Sequence, residues 1–425
     1  MMRSSKKILT IALVVFSSFF AAAQQRISLE DCYRLARENY PLIKKQNLIT
    51  SSASYSLENA SKIYLPQLSV NGQATYQSQT IDFAKMLPPQ LGLDIPSLNK
   101  DQYKVTADAG QLIYDGGAVK TQKQLIAANA AVQEQSVEVN LHALNDRISD
   151  IYFSILLIEQ QLKQNEIRKT DLNGALDKAT VAYDNGVGLR SNVDELKAAL
   201  INVDMAATEF RAQRKAFLNM LSMFVGKNLD ENTALVIPDS PATLAQINRP
   251  ELKLFDLQQK QIDVRQGQLE TEYKPKLNAF AQAGYGRPGL NFVENKSDSW
   301  WMGGIRLSWP FGSLYSLKNN KTLLQIEQKS IDVDREVFLF NTQLALAQQN
   351  GVIQKYRELL KQDEEVIALL SSVVQSAKLQ LDNGVITVHE YIAKLNEENL
   401  TKQSRIVHQV QLIQAQYQFK NTSGN

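Results

Sequence analysis

The chain has 425 residues, of which 44% are hydrophobic and 21% are charged, and its formal net charge is +2. This balance disfavours a nucleic-acid-binding protein, which would carry a basic face or domain. The chain has one cysteine, Cys32, so it cannot form an internal disulfide, and packing or assembly must stabilise the fold.

Residues 1–23 are predicted to be a signal peptide. Three basic residues, Arg3, Lys6 and Lys7, precede an apolar run, and alanines precede the expected cleavage site before Gln24. The apolar run is shorter than the ~20 residues of a membrane helix, so a retained membrane helix is the less favoured alternative. Without the three basic residues the net charge changes from +2 to −1. We therefore expect an exported protein.

Two strand-like runs follow, at about 67–77 and 102–114. Apolar and polar residues alternate in both runs, which gives each strand one apolar and one polar face. Each run is about as long as a transmembrane strand, which needs about 9–11 residues. The loop between the runs contains Pro88, Pro89 and Pro96 and is expected to face outward.

Long helices are predicted next, because no proline occurs between Pro96 and Pro238 and proline breaks helix interiors. Apolar residues recur at steps of three and four from Leu141 to Leu162, which is the pattern of paired helices in a coiled coil. The run from about 118 to 183 would extend for about 100 Å at 1.5 Å per residue.

A turn at about 184–191 interrupts this helical run. Glycines at positions 186 and 188 allow the positive φ angles that a tight turn requires. Ser191 or Asn192 is expected to cap the returning helix, and Asn192 would form a loose capping box with Glu195.

The second half of the chain repeats the first. Tyr64-Leu-Pro-Gln-Leu68 resembles Tyr273-Lys-Pro-Lys-Leu277, and Asp184-Asn-Gly-Val187 recurs as Asp382-Asn-Gly-Val385. Two copies in the same order indicate a duplicated domain. We interpret the chain as two repeats: 24–240 and 241–425.

The second repeat is predicted to contain strands at about 276–286 and 299–311 and long helices from about 314 onward. Its apolar stripe is weaker, because Asp363 interrupts the spacing of Val352, Leu359, Val366 and Val373. A second turn is predicted at about 382–388, where Thr387 and Glu390 fit a capping box.

Four strands are too few to close a membrane barrel, which needs about eight. Open edges in lipid leave backbone groups unpaired, so the chain is expected to assemble. Three copies would give about twelve strands and a lumen, whereas two would give about eight with a filled interior. Aromatic residues near the strand ends are typical of the membrane interface, and the candidates are Tyr103, Tyr114, Trp300, Trp301 and Trp309.

Three segments resemble motifs of the TolC-like outer-membrane efflux protein family: Asn248-Arg249-Pro250-Glu251-Leu252, Gln111-Leu-Ile-Tyr-Asp-Gly-Gly117 and Val187-Gly188-Leu189. The order of elements resembles this family over essentially the whole chain after the signal peptide. The resemblance implies a mainly α fold with transmembrane β-strands. In it, a homotrimer shares a β-barrel of about four strands per chain that continues into a long α-helical periplasmic barrel.

The same resemblance implies a location and partners. The chain would lie in the outer membrane lipid of a Gram-negative bacterium, with most residues in the periplasm. It would be the passive exit duct of a tripartite efflux or type I secretion system, with a periplasmic adaptor and an inner-membrane pump as partners. The alternative is a helical periplasmic scaffold or adaptor that forms no channel and holds its strands in a small soluble sheet.

Family position also implies two functional sites at the tip turns. The adaptor would dock on Val187, Gly188, Leu189, Arg190, Gly384 and Val385, and the gate would contain Asp194 and Glu390. The second turn lacks the family's Gly-Thr-Arg, and we interpret Arg190 as a replacement for the missing arginine. The internal repeat aligns Gly186, rather than Gly188, with Gly384.

No catalytic, metal-binding or cofactor-binding motif is present. The histidines, His142, His389 and His408, share no short spacing, and neither phosphate loops nor nucleophile elbows occur. We therefore predict neither an enzyme nor a cofactor.

Overall fold

The computed structural model describes residues 26–81, 97–242, 244, 246–291, 294 and 296–425. The predicted signal peptide and the prolines at 88, 89 and 96 lie outside these residues. The described helices are α1 (Leu29–Asn39), α2 (Ile43–Ser61), α3 (Ala118–His142), α4 (Leu144–Asp184), α5 (Arg190–Val225), α6 (Pro250–Glu272), α7 (Leu314–Asp382) and α8 (Val388–Ser423). The described strands are β1 (Arg26–Ile27), β2 (Gln67–Tyr76), β3 (Asp101–Tyr114), β4 (Ala234–Leu235), β5 (Lys276–Arg287) and β6 (Asp298–Ser308). In this part of the chain, every helix is too short or too polar to cross a membrane.

The chain divides into two compact units, and each unit draws on both halves of the sequence. The helical unit comprises the described residues up to Lys45 together with Val137–Pro250 and Val337–Asn425. The sheet unit comprises Gln46–Ser136 and Glu251–Glu336. The predicted repeats at 24–240 and 241–425 therefore do not coincide with the compact units.

The sheet unit contains a four-stranded antiparallel sheet in the order β2-β3-β5-β6. β2, β3 and β5 begin and end within one residue of their predicted ranges. The fourth predicted strand was expected at about 299–311, but β6 ends at Ser308. Pro310 cannot donate a ladder hydrogen bond, and a short 3-10 helix at Phe311–Ser313 follows it.

A tight junction connects β3 to α3. The Asp115 carboxylate accepts backbone N–H hydrogen bonds from Gly117 at 2.8 Å and Val119 at 2.6 Å, which satisfies the first turn of the helix. Burial acts to raise the pKa of Asp115, but these hydrogen bonds outweigh it and hold the pKa below its ordinary value. Gly116 has φ +70°, and a Cβ there would lie 2.6 Å from the Lys274 Cβ. The Asp-Gly-Gly segment therefore caps α3 and forms the tight turn that precedes it.

The helical unit is built around a cluster of buried apolar side chains. Its centre contains Tyr152, Ile148, Ile155 and Leu221, which are all fully enclosed. The Tyr152 hydroxyl lies 2.6 Å from the Val236 carbonyl oxygen and 3.0 Å from that of Ile27. The parallel pair of β1 and β4 is thereby fixed to α4.

One sequence prediction about these helices needs correction. The helical run predicted from 118 to 183 is divided at Ala143, which separates α3 from α4. The predicted stripe on α7 is only partly covered within one chain, since Val366 and Val373 are exposed while Val352 and Leu359 are half-buried. Asp363, which interrupts the stripe, lies 2.6 Å from His408 of α8.

A polar layer separates the central cluster from a second cluster near the hairpin tips. Gln164 of α4 donates to the Asn399 side-chain oxygen at 3.1 Å, and Asn165 donates to the Val203 carbonyl at 2.8 Å. Arg168 donates to the Asn396 side-chain oxygen. The Asn399 amide nitrogen is buried and has no hydrogen-bond partner among the described residues. The apolar core of the helical unit is therefore interrupted at one level.

Candidate functional site

The turn between α4 and α5 is a compact loop closed by backbone hydrogen bonds. The N–H groups of Val187 and Gly188 both donate to the Ala182 carbonyl, at 3.0 and 2.9 Å. Gly186 has φ +75°, in the left-handed region that favours glycine. A Cβ on Gly188 would lie 2.7 Å from the Tyr183 backbone nitrogen, so only glycine fits there. Val187 lies at the apex of this turn and is 84% exposed.

The turn between α7 and α8 has the same backbone construction. Gly384 has φ +70°, and the Val385 N–H donates to the Gln380 carbonyl at 2.8 Å. Gly384 therefore matches Gly186 rather than Gly188, and Val385 matches Val187. Val385 is also exposed, at 71%. Each turn thus presents one apolar side chain at its apex.

The helices that leave the two turns are capped differently. Thr387 forms the predicted capping box: its hydroxyl accepts from the Glu390 N–H at 3.2 Å, and the Glu390 carboxylate accepts from the Thr387 N–H at 2.8 Å. The box expected at Asn192 was wrong. The N-cap residue of α5 is Leu189, which has no side-chain hydrogen bond, so Asn192 already lies inside the helix.

The predicted gate carboxylates are not equivalent in the two turns. Asp194 lies eight positions after Gly186, whereas Glu390 lies six positions after Gly384. Asp194 is 3.5 Å from Arg190, and both side chains are well exposed. The backbone N–H of Thr387 is the main cause that lowers the pKa of Glu390, and its side chain adds to the effect. The Glu390 carboxylate is therefore hydrogen-bonded within its own turn.

The two hairpins, α4–α5 and α7–α8, pack against each other near their tips. Leu172, Leu196, Tyr391 and Leu395 lie at the centre of an apolar cluster that we call the tip core. Two polar contacts cross between the hairpins. Lys178 donates to Asp382 at 2.7 Å, and the His389 ring nitrogen lies 2.7 Å from the Glu195 carboxylate. These four residues were absent from the sequence-based site, because their partners lie about 200 positions away in the chain.

One face of the sheet is mainly apolar, although Asp101, Gln111, Arg287 and Ser299 also lie on it. Residues paired directly across an antiparallel ladder lie on the same face, so the register assigns every side chain. The apolar face contains Leu68, Val70, Ala74 and Tyr76 on β2, Tyr103, Val105, Ala107 and Ala109 on β3, Leu277, Ala279, Ala281, Ala283 and Tyr285 on β5, and Trp301, Ile305 and Leu307 on β6.

The opposite face is mainly polar. The Asp108 carboxylate accepts hydrogen bonds from Asn71 at 2.9 Å, from Thr106 at 3.1 Å and from Gln282. The Arg306 guanidinium lies 5.1 Å from the Phe280 ring centroid. The sheet is therefore amphipathic, as the alternation predicted.

The five predicted interface aromatics occupy different surroundings. Tyr103 and Trp301 lie on the apolar face near one end, and Tyr114 pairs with Leu277 near the other end. Trp300 lies on the polar face, because neighbouring residues of a strand point to opposite sides. Trp309 follows β6, donates to the Tyr273 carbonyl at 3.0 Å and stacks on Phe311. Tyr76 and Tyr285 join the apolar face at the Tyr103 end, and the sequence prediction omitted them.

Comparison with known proteins identifies a family profile and solved structures that match this chain. The sequence profile of the outer membrane efflux protein family matches residues 32–227. The fold of CusC matches with a TM-score of 0.69 over 93% of this chain and 91% of that chain, at 13% sequence identity. Residues 32–227 thus match the outer membrane efflux protein family, and the chain has the fold of the TolC-like outer-membrane channels.

Two further solved structures share the fold of this chain. The outer membrane protein VceC of Vibrio cholerae matches with a TM-score of 0.66 at 13% identity, over 93% of this chain and 96% of that one. The open MtrE outer membrane channel of Neisseria gonorrhoeae matches with a TM-score of 0.63 at 14% identity, over 93% of this chain and 89% of that one. No curated protein matches the sequence.

The matched profile and these structures indicate the outer membrane of a Gram-negative bacterium, with most of the chain in the periplasm. The family consists of transport channels rather than enzymes. Among the described residues, no group of His, Cys, Asp and Glu side chains is arranged to hold a metal ion.

Proposed function

We propose that this efflux protein is one protomer of a homotrimeric exit duct. The amphipathic four-stranded sheet carries the proposal. In the described part of the chain, its edge strands β2 and β6 each pair on one side only. Unpaired backbone groups in lipid cost several kcal/mol each, so the sheet must close with neighbours. Three copies supply about twelve strands, enough for a lumen lined by the polar face.

The dimensions of the apolar face suit a membrane. Eleven steps separate Tyr103 from Tyr114 on β3, which corresponds to ~37 Å along the strand at about 3.4 Å per residue. A strand tilted by about 45° would then span ~26 Å of membrane. This agrees with the ~25 Å apolar band, flanked by aromatic residues, of outer-membrane barrels.

The long helices support the same assembly. α7 has 69 residues and so extends for about 100 Å. It carries exposed apolar residues at steps of three, four and seven, namely Leu323, Ile326, Val333, Val337, Phe340 and Leu344. Large apolar side chains at this spacing are typical of a helix that packs against another chain.

The tip turns are proposed as docking points for a periplasmic adaptor. Val187, Leu189 and Val385 are exposed apolar side chains, and Gly188, Gly384 and Arg190 complete the two turns. An inner-membrane pump would supply the energy, and the duct would conduct substrates passively. Asp194 and Glu390 would lie near the periplasmic entrance, where carboxylates favour cations.

Cysteine cross-linking in membranes tests the assembly. β2 and β6 of neighbouring copies would run antiparallel, so Ser69→Cys is combined in turn with Gly304→Cys, Arg306→Cys and Ser308→Cys. The native Cys32 does not interfere, because it is buried and burial raises the pKa of its thiol to about 12. We expect at least one pair to give covalent trimers after oxidation.

The control pair is Ser69→Cys with Asp108→Cys, which lie directly opposite each other within one sheet. It should cross-link within the chain and leave the protomer size unchanged. The proposal fails if the control pair oxidises while every edge pair stays monomeric, or if the protein is recovered from cells without detergent.

A further inference from the structure

The polar face of the sheet carries a cavity of about 250 Å³ at the end where β5 leads to residue 288. Its walls include Gln73 and Gln77 next to β2, Gln102 and Lys104 on β3, Trp300 on β6 and the segment 287–290. The predicted interface role of Trp300 does not account for this position. We propose that the cavity is a binding site for a small organic anion, a carboxylate or phosphate with an apolar body.

Two glycines of β5 lie on the polar face and let neighbouring groups pack closely against its backbone. A Cβ on Gly284 would lie 2.5 Å from the Trp300 ring, and a Cβ on Gly286 would lie 2.4 Å from the Tyr103 carbonyl oxygen. The Trp300 ring therefore rests on bare backbone. It extends towards β3, where the Lys104 ammonium lies 4.8 Å from the ring centroid. Three strands thus contribute to one site.

The walls of the cavity are rich in hydrogen-bond donors. Lys104 forms no ion pair with a carboxylate of the described chain, although it interacts electrostatically with Asp108. Three glutamine amides add further donors, and no Asp or Glu lines the cavity. Donors without a neutralising carboxylate favour a ligand that has acceptor oxygens and a negative charge.

The carboxylates beside the cavity are already engaged. Asp101 accepts from Arg287, so this guanidinium is neutralised within the sheet. Asp108 accepts from Asn71 and Gln282, while Asp298 accepts from a backbone N–H at 2.8 Å. Hydrogen bonds from neutral donors leave Asp108 and Asp298 charged, but neither carboxylate lines the cavity, and the charged residues that do are Lys104 and Arg287.

The size of the cavity and its apolar walls narrow the ligand class. Drug-sized ligands occupy about 300–1,000 Å³, so a volume near 250 Å³ suits a smaller molecule. Pro288, Leu290 and the Trp300 ring provide apolar surface next to the charge. A single ring or short chain that carries one carboxylate or phosphate matches both features. The site does not depend on closure of the sheet into a barrel, so its test is separate from that of the duct.

The test measures binding of 4-fluorobenzoate to the full-length protein in detergent by fluorine NMR. The neutral isostere 4-fluorobenzamide reports the contribution of charge. We expect benzoate to bind and benzamide to bind at least tenfold more weakly. Lys104→Gln should weaken benzoate binding about tenfold, which corresponds to the loss of one charge-assisted hydrogen bond. Lys104→Arg should preserve binding within about twofold, since it retains the charge.

The matched control is Lys276→Gln. Lys276 lies on the same polar face of β5 but at its other end, so this variant makes the same charge change outside the cavity. It should leave benzoate binding unchanged. Equal binding of benzamide, an unaffected Lys104→Gln variant, or equal weakening by both lysine variants would each overturn the proposal. Inorganic phosphate added as a competitor should displace benzoate from the wild-type protein.

Discussion

The Lys178 ammonium donates to both carboxylate oxygens of Asp382, at 2.8 and 2.7 Å, and so joins α4 of the first hairpin to α7 of the second. Both side chains are partly exposed, and exposed ion pairs typically contribute about 0.2–1 kcal/mol. The apolar tip core beneath this pair is the stronger contact. An interaction of this size can be broken by a binding partner without unfolding the helices.

Removal of this ion pair should loosen the tips. We expect Lys178→Gln to raise amide hydrogen exchange in residues 172–200 and 377–395 by up to about fivefold, the equivalent of about 1 kcal/mol. Exchange around Tyr152 should stay unchanged. Lys169→Gln is the control, because Lys169 pairs with Asp204 at 2.6 Å inside one hairpin. Equal effects of the two variants would show that the cross-hairpin contact has no special role.

Alanine substitutions should separate the two glycines of the first turn. Gly186→Ala meets open space and should cost about 1–2 kcal/mol from its positive φ, and Gly384→Ala should cost the same. Gly188→Ala should cost more, because its Cβ would collide with the backbone of Ala182 and Tyr183. Exchange of the Val187 amide measures the two variants of the first turn, and exchange of the Val385 amide measures Gly384→Ala. If Gly188→Ala proved the mildest of the three, the turn geometry described above would be incorrect.

The same turn provides a test of function. Gly188→Pro removes the N–H that donates to the Ala182 carbonyl at 2.9 Å, and a bulky residue at Leu189 alters an exposed apolar surface. We expect either change to abolish export while trimers remain inserted in the outer membrane. Cell fractionation and an export assay measure the two properties separately. Normal export would remove the tips from the proposed docking surface.

Sequence patterns located the strands and the tip turns because these features depend on neighbouring residues. Alternation along β3 fixes its two faces, and Thr387 with Glu390 carries its own capping box. The assignment of Trp300 to the membrane interface ignored that alternation, since its neighbour Trp301 points to the apolar face. Contacts such as Glu195 with His389 join distant segments, so no local pattern indicates them.

The start of α5 shows a different limit of sequence-based prediction. Asn192 and Glu195 have capping-box spacing, yet the helix begins earlier, at Arg190. The N–H groups of Val187 and Gly188 close the turn on the Ala182 carbonyl, so the next helix begins directly after Leu189. Chain geometry therefore overrides the local preference of asparagine for the N-cap position.

The polar layer of the helical unit should show strong coupling between two residues. Asn399 is 3% exposed, and its side-chain oxygen accepts a hydrogen bond from the Gln164 amide at 3.1 Å. Asn399→Leu leaves the buried Gln164 amide unpaired and should cost about 1–3 kcal/mol. The double variant with Gln164→Leu should recover much of this loss, because both polar groups are then replaced. Denaturant unfolding followed by circular dichroism gives the four values of the cycle. Additive losses would contradict the coupling.

The second tip turn should weaken at low pH. The Thr387 hydrogen bonds lower the pKa of the Glu390 carboxyl from its ordinary 4.5 in the folded chain. The charged capping box therefore stabilises the turn above pH 4.5, and this stabilisation is lost as the pH falls through the lower, folded pKa. Amide exchange at residues 388–391, corrected for intrinsic rates, should become faster as the pH falls below 4.5. Glu390→Gln keeps the hydrogen-bonding shape without the charge, so its exchange should not change with pH.

Arginine substitutions at two neighbouring positions of β2 should distinguish the faces of the sheet. Val70 lies on the apolar face opposite Ala107, and Ser69 lies on the polar face opposite Asp108. In a membrane barrel, Val70→Arg would place a charge against lipid and should destabilise the inserted form by up to about 2–4 kcal/mol. Ser69→Arg would point into the lumen near a carboxylate and should have an effect below about 1 kcal/mol. Urea titration of trimers in lipid vesicles measures both. A soluble sheet with its apolar face in water would show the reverse preference, because Val70→Arg would then improve solubility without a loss of assembly.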